Sequence, residues 1–402
     1  MGLIACLFAV PLVAAVLLML LRSERQRSVI SIAAAVLTGV CSIAFAAGNL
    51  IGGPTPIALP AQTSYLISWI MAAVDVVLCA VILYSAVRYK NRTALVLGLI
   101  QTVGVLLFAQ MTLTEGPAEM LEAPIYIDTL STIMVLIVGL VGSAICVYAL
   151  GYMHDFQQHE PAGAPDRRHF FSALMFLFLA AMFVIVLSDN LDWLFTGWEI
   201  TTVCSFLMIG YTKKPEAITN SFTQINLNMV GGLAFLLALI LMHSAGVPLS
   251  LSGMIALGSA PIAPLLAIPL VLMSIAGLTK AAQMPFHKWL LGAMVAPTPT
   301  SALLHSSTMV KAGVFLLVKL APLYLVFPVA SALVVTIGGI TFVLCSFIAI
   351  TQSNAKRVLA YSTIANLGLM SACAGVGTPE AVWAAIFLMI FHTVSKSTLF
   401  LC

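Results

Sequence analysis

The chain has 402 residues, 61% hydrophobic and only 8% charged, with a formal net charge of +3. A soluble globular protein carries roughly 25% charged residues, so this chain cannot cover itself with a hydrated surface. These proportions exclude a disordered chain, a nucleic-acid-binding domain and a soluble enzyme, and leave an all-α, polytopic protein of the lipid bilayer.

A membrane span needs about 20 mainly apolar residues. That rule predicts thirteen helices, at 3–21, 29–47, 64–87, 93–110, 128–150, 170–188, 191–211, 218–243, 262–284, 299–320, 325–350, 357–375 and 381–402. The first, from Leu3 to Leu21, lacks a basic segment ahead of it and a small-residue cleavage site, so it reads as a span and not a removed leader. Residues 1–126 hold about four of these helices, and 127–169 a fifth with a cytoplasmic loop. The longest polar stretch, Met153 to His169, contains Pro161, Gly163 and Pro165 and reads as a loop.

Basic residues predict the orientation. Of 17 lysines and arginines, 13 fall in or beside alternate loops: Arg22, Arg25 and Arg27; Arg88, Lys90 and Arg92; Arg167 and Arg168; Lys213 and Lys214; Lys288; Lys356 and Arg357. The opposite loops have none, and one of them carries Glu115, Glu119 and Glu122. The positive-inside rule then places the amino terminus outside a bacterial-type cytoplasmic (inner) membrane.

The eight cysteines never form a CxxC pair, and no nucleotide-binding or zinc-protease motif is present, so no cofactor and no metal are expected. Chemistry must come from charges inside the spans, which are costly and tolerated only in a bundle interior or a hydrated cavity. Lys280 lies one turn before Pro285, where a helix break is expected, because proline donates no hydrogen bond and clashes with the preceding turn. That lysine either faces a cavity at a discontinuous helix or snorkels to the cytoplasmic surface. His305 and Lys311 share the next helix with Ser306, Ser307 and Thr308 between them, and six residues rise about 9 Å. His392 and Lys396 stand at i and i+4, on one helical face. Glu199 is buried in mid-span and needs a cationic partner, for which Lys280 or Lys311 can serve. Burial disfavours the charged form of such groups, so opening and closing a Glu–Lys pair would act as an electrostatic switch on a proton path. Asp75 reads as a polar contact between helices, and Lys319, near a helix end, as a snorkelling residue of little consequence.

Four segments carry a family resemblance: WEITTVCSFLMIGY, LTKAAQMPFHKWLLGAMVAPTPTSALLHSSTMVKAGVFLL, NAKRVLAYSTIANLGLM and FHTVSKSTLF. They resemble the antiporter-like subunits of respiratory complex I, of Mrp-type Na+/H+ antiporters and of energy-converting membrane-bound hydrogenases, from about Ile127 to the end. The resemblance implies a proton relay of Glu199, Lys280, His305, Lys311, His392 and Lys396, with Glu199 and Lys280 as its glutamate–lysine pair. It further implies H+, or H+ exchanged for Na+, as the cargo, and other membrane subunits as partners, which would supply the redox energy. A stand-alone secondary transporter is the alternative. Lys311 looks more like the Mrp and hydrogenase branches, and the helices near 64–87 and 93–110 look like an extra amino-terminal pair of the hydrogenase branch, whereas Asn354 stands where the family often has an acid. The family's inverted repeats would place the first at 170–320 and an incomplete second at 325–402, wanting roughly 75 further residues. On that reading the 402 residues alone are expected to sustain no transmembrane flux.

Overall fold

The computed structural model describes residues 2–50, 52–160 and 165–402. The chain opens with α1 (Gly2–Leu20) and α2 (Glu24–Asn49), followed by α3 (Ala61–Arg88) and α4 (Arg92–Leu113). Next come α5 (Thr129–Leu136) and α6 (Ser143–Gln158), joined without a gap by a π-helical turn at Ile137–Gly142. The centre holds α7 (Arg168–Leu187), α8 (Leu191–Ile209), α9 (Pro215–Ser244), α10 (Leu251–Leu257) and α11 (Ala267–Lys280). Short helices α12 (Lys288–Gly292) and α13 (Thr298–Ala302) lead to α14 (Met309–Lys319), α15 (Ala321–Tyr324), α16 (Pro328–Ile350), α17 (Ala355–Val376) and α18 (Pro379–Leu401).

Among the described residues, twelve helical segments are long and apolar enough to span a membrane. The thirteenth expected span is α8, which is 19 residues long but has Asp192 and Glu199 within it and is not among the twelve. Its flanks are buried by neighbours, so protein and not lipid surrounds those carboxylates. The polar loop at 153–169 is shorter than its composition suggests. Helix α6 continues to Gln158 and α7 begins at Arg168, while residues 161–164, including Pro161 and Gly163, lie outside the described residues. A short antiparallel pair, β1 (Thr55–Ile57) with β2 (Ile125–Ile127), has no counterpart in the hydropathy pattern.

Burial grades the bundle from rim to centre. The segment Thr298–Lys319 is wholly enclosed and α7 nearly so, whereas α3, α4 and α16 bury under a third of their apolar windows and present the rest to lipid. Close approaches occur at glycines, as expected where van der Waals packing drives helix association. A side chain at Gly313 of α14 would collide with the Gly277 carbonyl and the Ala281 amide at the end of α11. Gly338 and Gly368 bring α16 and α17 together in the same way. Asn354 has its own local role, since its side chain caps α17 by accepting from the Arg357 amide at 3.3 Å.

Candidate proton relay

The discontinuous helix forms where expected, but its end is set before the proline. Helix α11 stops at Lys280, and Ala282 adopts the left-handed region with φ 53°. The Gln283 amide donates to the Leu278 carbonyl at 2.9 Å and the Ala282 amide to the Thr279 carbonyl at 3.1 Å, the Schellman closure of a helix. The Trp289 indole also donates to Thr279, the Gln283 side chain to the Ala281 carbonyl, and the Met284 amide to the Thr341 hydroxyl of α16. Irregular backbone inside a bundle is tolerable only when its polar groups are paired in this manner. Pro285, in a cis peptide with Met284, lies beyond the closure.

Lys280 points inward. It is 1% exposed, which removes the snorkelling alternative. Its ammonium donates to the Trp198 carbonyl at 2.6 Å and the Thr202 hydroxyl at 2.8 Å, and sits 4.6 Å from the centroid of the Trp198 ring. Both acceptors flank Glu199 on α8, yet among the described residues no Glu199–Lys280 ion pair forms within 4.0 Å. Glu199 turns instead towards α4, where its Oε2 accepts from the Gln101 side chain at 2.8 Å. Gly232 of α9 leaves room for the other oxygen, Oε1, which has no hydrogen-bond partner among the described residues. Gln101 was not expected in the site, although a glutamine in the middle of the apolar run of α4 is itself a signal, since a buried amide must find a partner.

Lys311 does not serve Glu199 either. Its ammonium lies 3.0 Å from His392 Nδ1 and 3.7 Å from the Met370 sulfur. Two positive charges at 3 Å in a dry interior repel strongly, so Lys311 and His392 are not both charged at once. On α18, Lys396 donates to the Ser362 hydroxyl at 2.8 Å and the Leu359 carbonyl at 3.2 Å. His305 lies in a second π-helical turn, Leu303–Ser307, which interrupts the helix expected at 299–320 and ends at Thr308. Its ring packs on Phe400, 5.0 Å between centroids, so it faces the side of α18 that also carries His392 and Lys396. Both of its ring nitrogens are buried with no hydrogen bond of standard geometry among the described residues. Such π turns recur at functional positions in helices, but hydropathy alone gives no sign of them.

Lys319 contradicts its expected role. It donates to Asp128 at 2.6 Å and to Ser131 at 3.2 Å, tying the end of α14 to the start of α5. Its side chain is 10% exposed, so it is held in place and does not reach for the interface.

The fold and its buried charges define a class: multi-helix, antiporter-like membrane subunits with a lysine at a broken helix. Residues 188–402 match the family described as NADH:quinone oxidoreductase/Mrp antiporter, TM, and residues 120–162 match NADH-Ubiquinone oxidoreductase (complex I), chain 5 N-terminus. The chain is 40% identical over 296 residues to NADH-quinone oxidoreductase subunit L of Mycobacterium tuberculosis, covering 73% of this chain and 45% of that protein. It is 34% identical over 305 residues to Na(+)/H(+) antiporter subunit A1 of Staphylococcus haemolyticus, covering 72% and 37%. Among solved structures, the Mrp complex from Dietzia sp. DQ12-45-1b aligns at 33% identity with a TM-score of 0.64, over 83% of this chain and 37% of that one. An archaeal membrane-bound sulfane sulfur reductase shares the fold over 100% of this chain and 70% of its own, with a TM-score of 0.73. The chain therefore belongs to the NADH:quinone oxidoreductase/Mrp antiporter transmembrane family. It spans less than half the length of these curated relatives.

Proposed function

We propose that this chain is a proton-translocating, antiporter-like subunit of a complex I-like, Mrp or energy-converting hydrogenase assembly, moving H+ or exchanging H+ for Na+. Its amino terminus lies outside a bacterial-type inner membrane, and the partner membrane subunits bring the driving energy. The observation that carries this reading is the 3.0 Å contact between Lys311 and His392, which joins two helices through groups able to pass a proton.

In this mechanism Glu199 and Lys280 meet at the same turn of α8, Glu199 standing on it and Lys280 reaching it from the end of α11. With the carboxylate turned to Gln101, the lysine is held by the Trp198 carbonyl, the Thr202 hydroxyl and the indole face. Rotation of Glu199 towards Lys280 would hold the ammonium charged, and its return would favour release of a proton towards His305 and Lys311. The Lys311–His392 pair then passes one proton to the Lys396 end of α18. Each group gains and loses one proton per cycle, so the chain itself is unchanged. A solute carrier would instead need its polar groups to converge on a pocket, whereas these are spread over α8, α11, α14 and α18.

Proton flux in vesicles containing the assembled complex tests this proposal. Glu199→Gln, Lys280→Met and Lys311→Met should each cut uncoupler-sensitive flux at least tenfold. Glu199→Gln combined with Lys280→Met should be little worse than either alone, because coupled groups are non-additive. Full flux in Lys280→Met would end the reading.

A further inference from the structure

Helix α3 is polar on its inner side and apolar on its outer side. Its buried residues include Ser64, Ser68, Asp75 and Cys79, while Leu66, Trp69, Ile70 and Val77 are exposed. A helix that merely packed would have no reason to turn a carboxylate inward, where an unpaired charge is costly. Asp75 is 4% exposed, and its Oδ2 accepts from the Thr196 hydroxyl of α8 at 2.8 Å. Its Oδ1 has no hydrogen-bond partner among the described residues. On α8, Asp192, Thr196 and Glu199 stand at i, i+4 and i+7, which is one helical face. Glu199 Oε1, beside Gly232 of α9, and Gln101 Oε1 on α4 also have no hydrogen-bond partner among the described residues.

Two cavities meet this polar stripe. One, of about 450 Å3, lies among Glu115, Glu122, Asn190, Asp192 and His243, at the end of the bundle that bears the acidic loop. The other is a pocket of about 10 Å3 that includes both Asp75 and Asp192 in its walls, the space that a single water needs. Asp192 therefore lines both, as does Ser68. None of these groups has a part in the lysine relay.

From this arrangement we infer a second entrance to Glu199, running from the acidic-loop face through Asp192 and Asp75. It rests on the relay reading for what happens to the proton after Glu199, but the entrance itself is a property of α3, α4 and α8. A proton taken from the large cavity binds the Asp192 carboxylate, passes through a water in the small pocket to Asp75, and from there reaches the Glu199 carboxylate, one turn beyond Thr196 on α8. Each carboxylate accepts one proton and releases one, so no other reactant is needed. Helices α3 and α4 thus give Glu199 access to the face opposite the basic loops, while Lys280 connects it to the rest of the line.

Asp75→Asn separates this role from simple packing. Asparagine still accepts the Thr196 hydrogen bond, but it cannot carry a proton. The measurement is the rate at which Glu199 protonates after a pH drop, followed by stopped-flow infrared on the purified full chain and identified by its loss in Glu199→Gln. In a Lys280→Met background, the entrance through Asp192 should be the remaining route. Adding Asp75→Asn or Asp192→Asn should slow Glu199 protonation at least tenfold, with an unchanged melting temperature, and Asp75→Glu should restore it. Protonation within twofold of the Lys280→Met rate in both asparagine variants would overturn the entrance. That result would leave the relay reading standing, because the relay is judged by flux in Lys280→Met alone.

Discussion

At 2.6 Å, Lys319 and Asp128 fasten two helices that are 191 residues apart in the chain. Burial pushes the Asp128 carboxyl up, but the adjacent Lys319 ammonium and hydrogen bonds from Lys319 and Ser131 outweigh it and hold the group below its ordinary 3.8. A carboxyl depressed by folding contributes stability above its unfolded value and loses it as pH falls through the lowered one. The pair's contribution is therefore complete well above pH 3.8 and disappears below it. Breaking a fully buried pair costs about 3–5 kcal/mol, and with Asp128 partly exposed we expect about 2 kcal/mol. Asp128→Asn should lower the melting temperature in detergent at neutral pH and be nearly silent near the acid limit; equal losses at both would refute the pairing. Thr202→Val tests the lysine's cradle, since a hydrogen bond to a charged group is worth about 2 kcal/mol. Its cost should be large with Lys280 present and small in Lys280→Met, a coupling that a double-mutant cycle reads directly.

Among the elements, the π turn at Leu303–Ser307 sets the phase of everything after it. One residue of an α-helix turns about 100°, so deleting Ser307 would rotate Lys311 away from His392 or drag His305 off Phe400. The variant should insert and assemble but lose at least tenfold in flux. Flux close to that of the parent would show that the bulge is only packing. The hydropathy pattern made the spans legible because each is a local run of apolar residues. It could not reveal the bulges, which add a residue to a turn without changing composition. The break after Lys280 was half legible: Pro285 signalled that a helix must end nearby, but the closure at Ala282 depends on backbone contacts that no single residue announces.

For the molecule as a whole, three of the basic loops, those at Arg88–Arg92, Arg167–Arg168 and Lys213–Lys214, meet at one end of the bundle. A cavity lined by Tyr84, Tyr89, Arg167 and Lys213 joins those three loops there, while Glu115 and Glu122 border a cavity with His243 at the acidic-loop end. In a cysteine-free background, cysteines at Arg88, Lys213 and Arg357 should be labelled from the cytoplasmic side by an impermeant reagent, and one at Glu122 from the outside. Labelling of any basic-loop position from outside would invert or break the topology.

The sequence by itself determined that this is a bilayer protein, where its spans run, which charges lie within them and which family it resembles. Those properties are local, because apolar length and the cost of an intramembrane charge belong to a segment and not to its neighbours. Only the tertiary structure decided the partnerships: Glu199 with Gln101, Lys280 with the Trp198 carbonyl, Lys311 with His392 and Lys319 with Asp128. A buried polar group accepts whichever partner the rotation and closeness of the helices bring within 3 Å or so. Those are set by contacts such as Gly277 against Gly313, between helices whose sequences carry no record of each other.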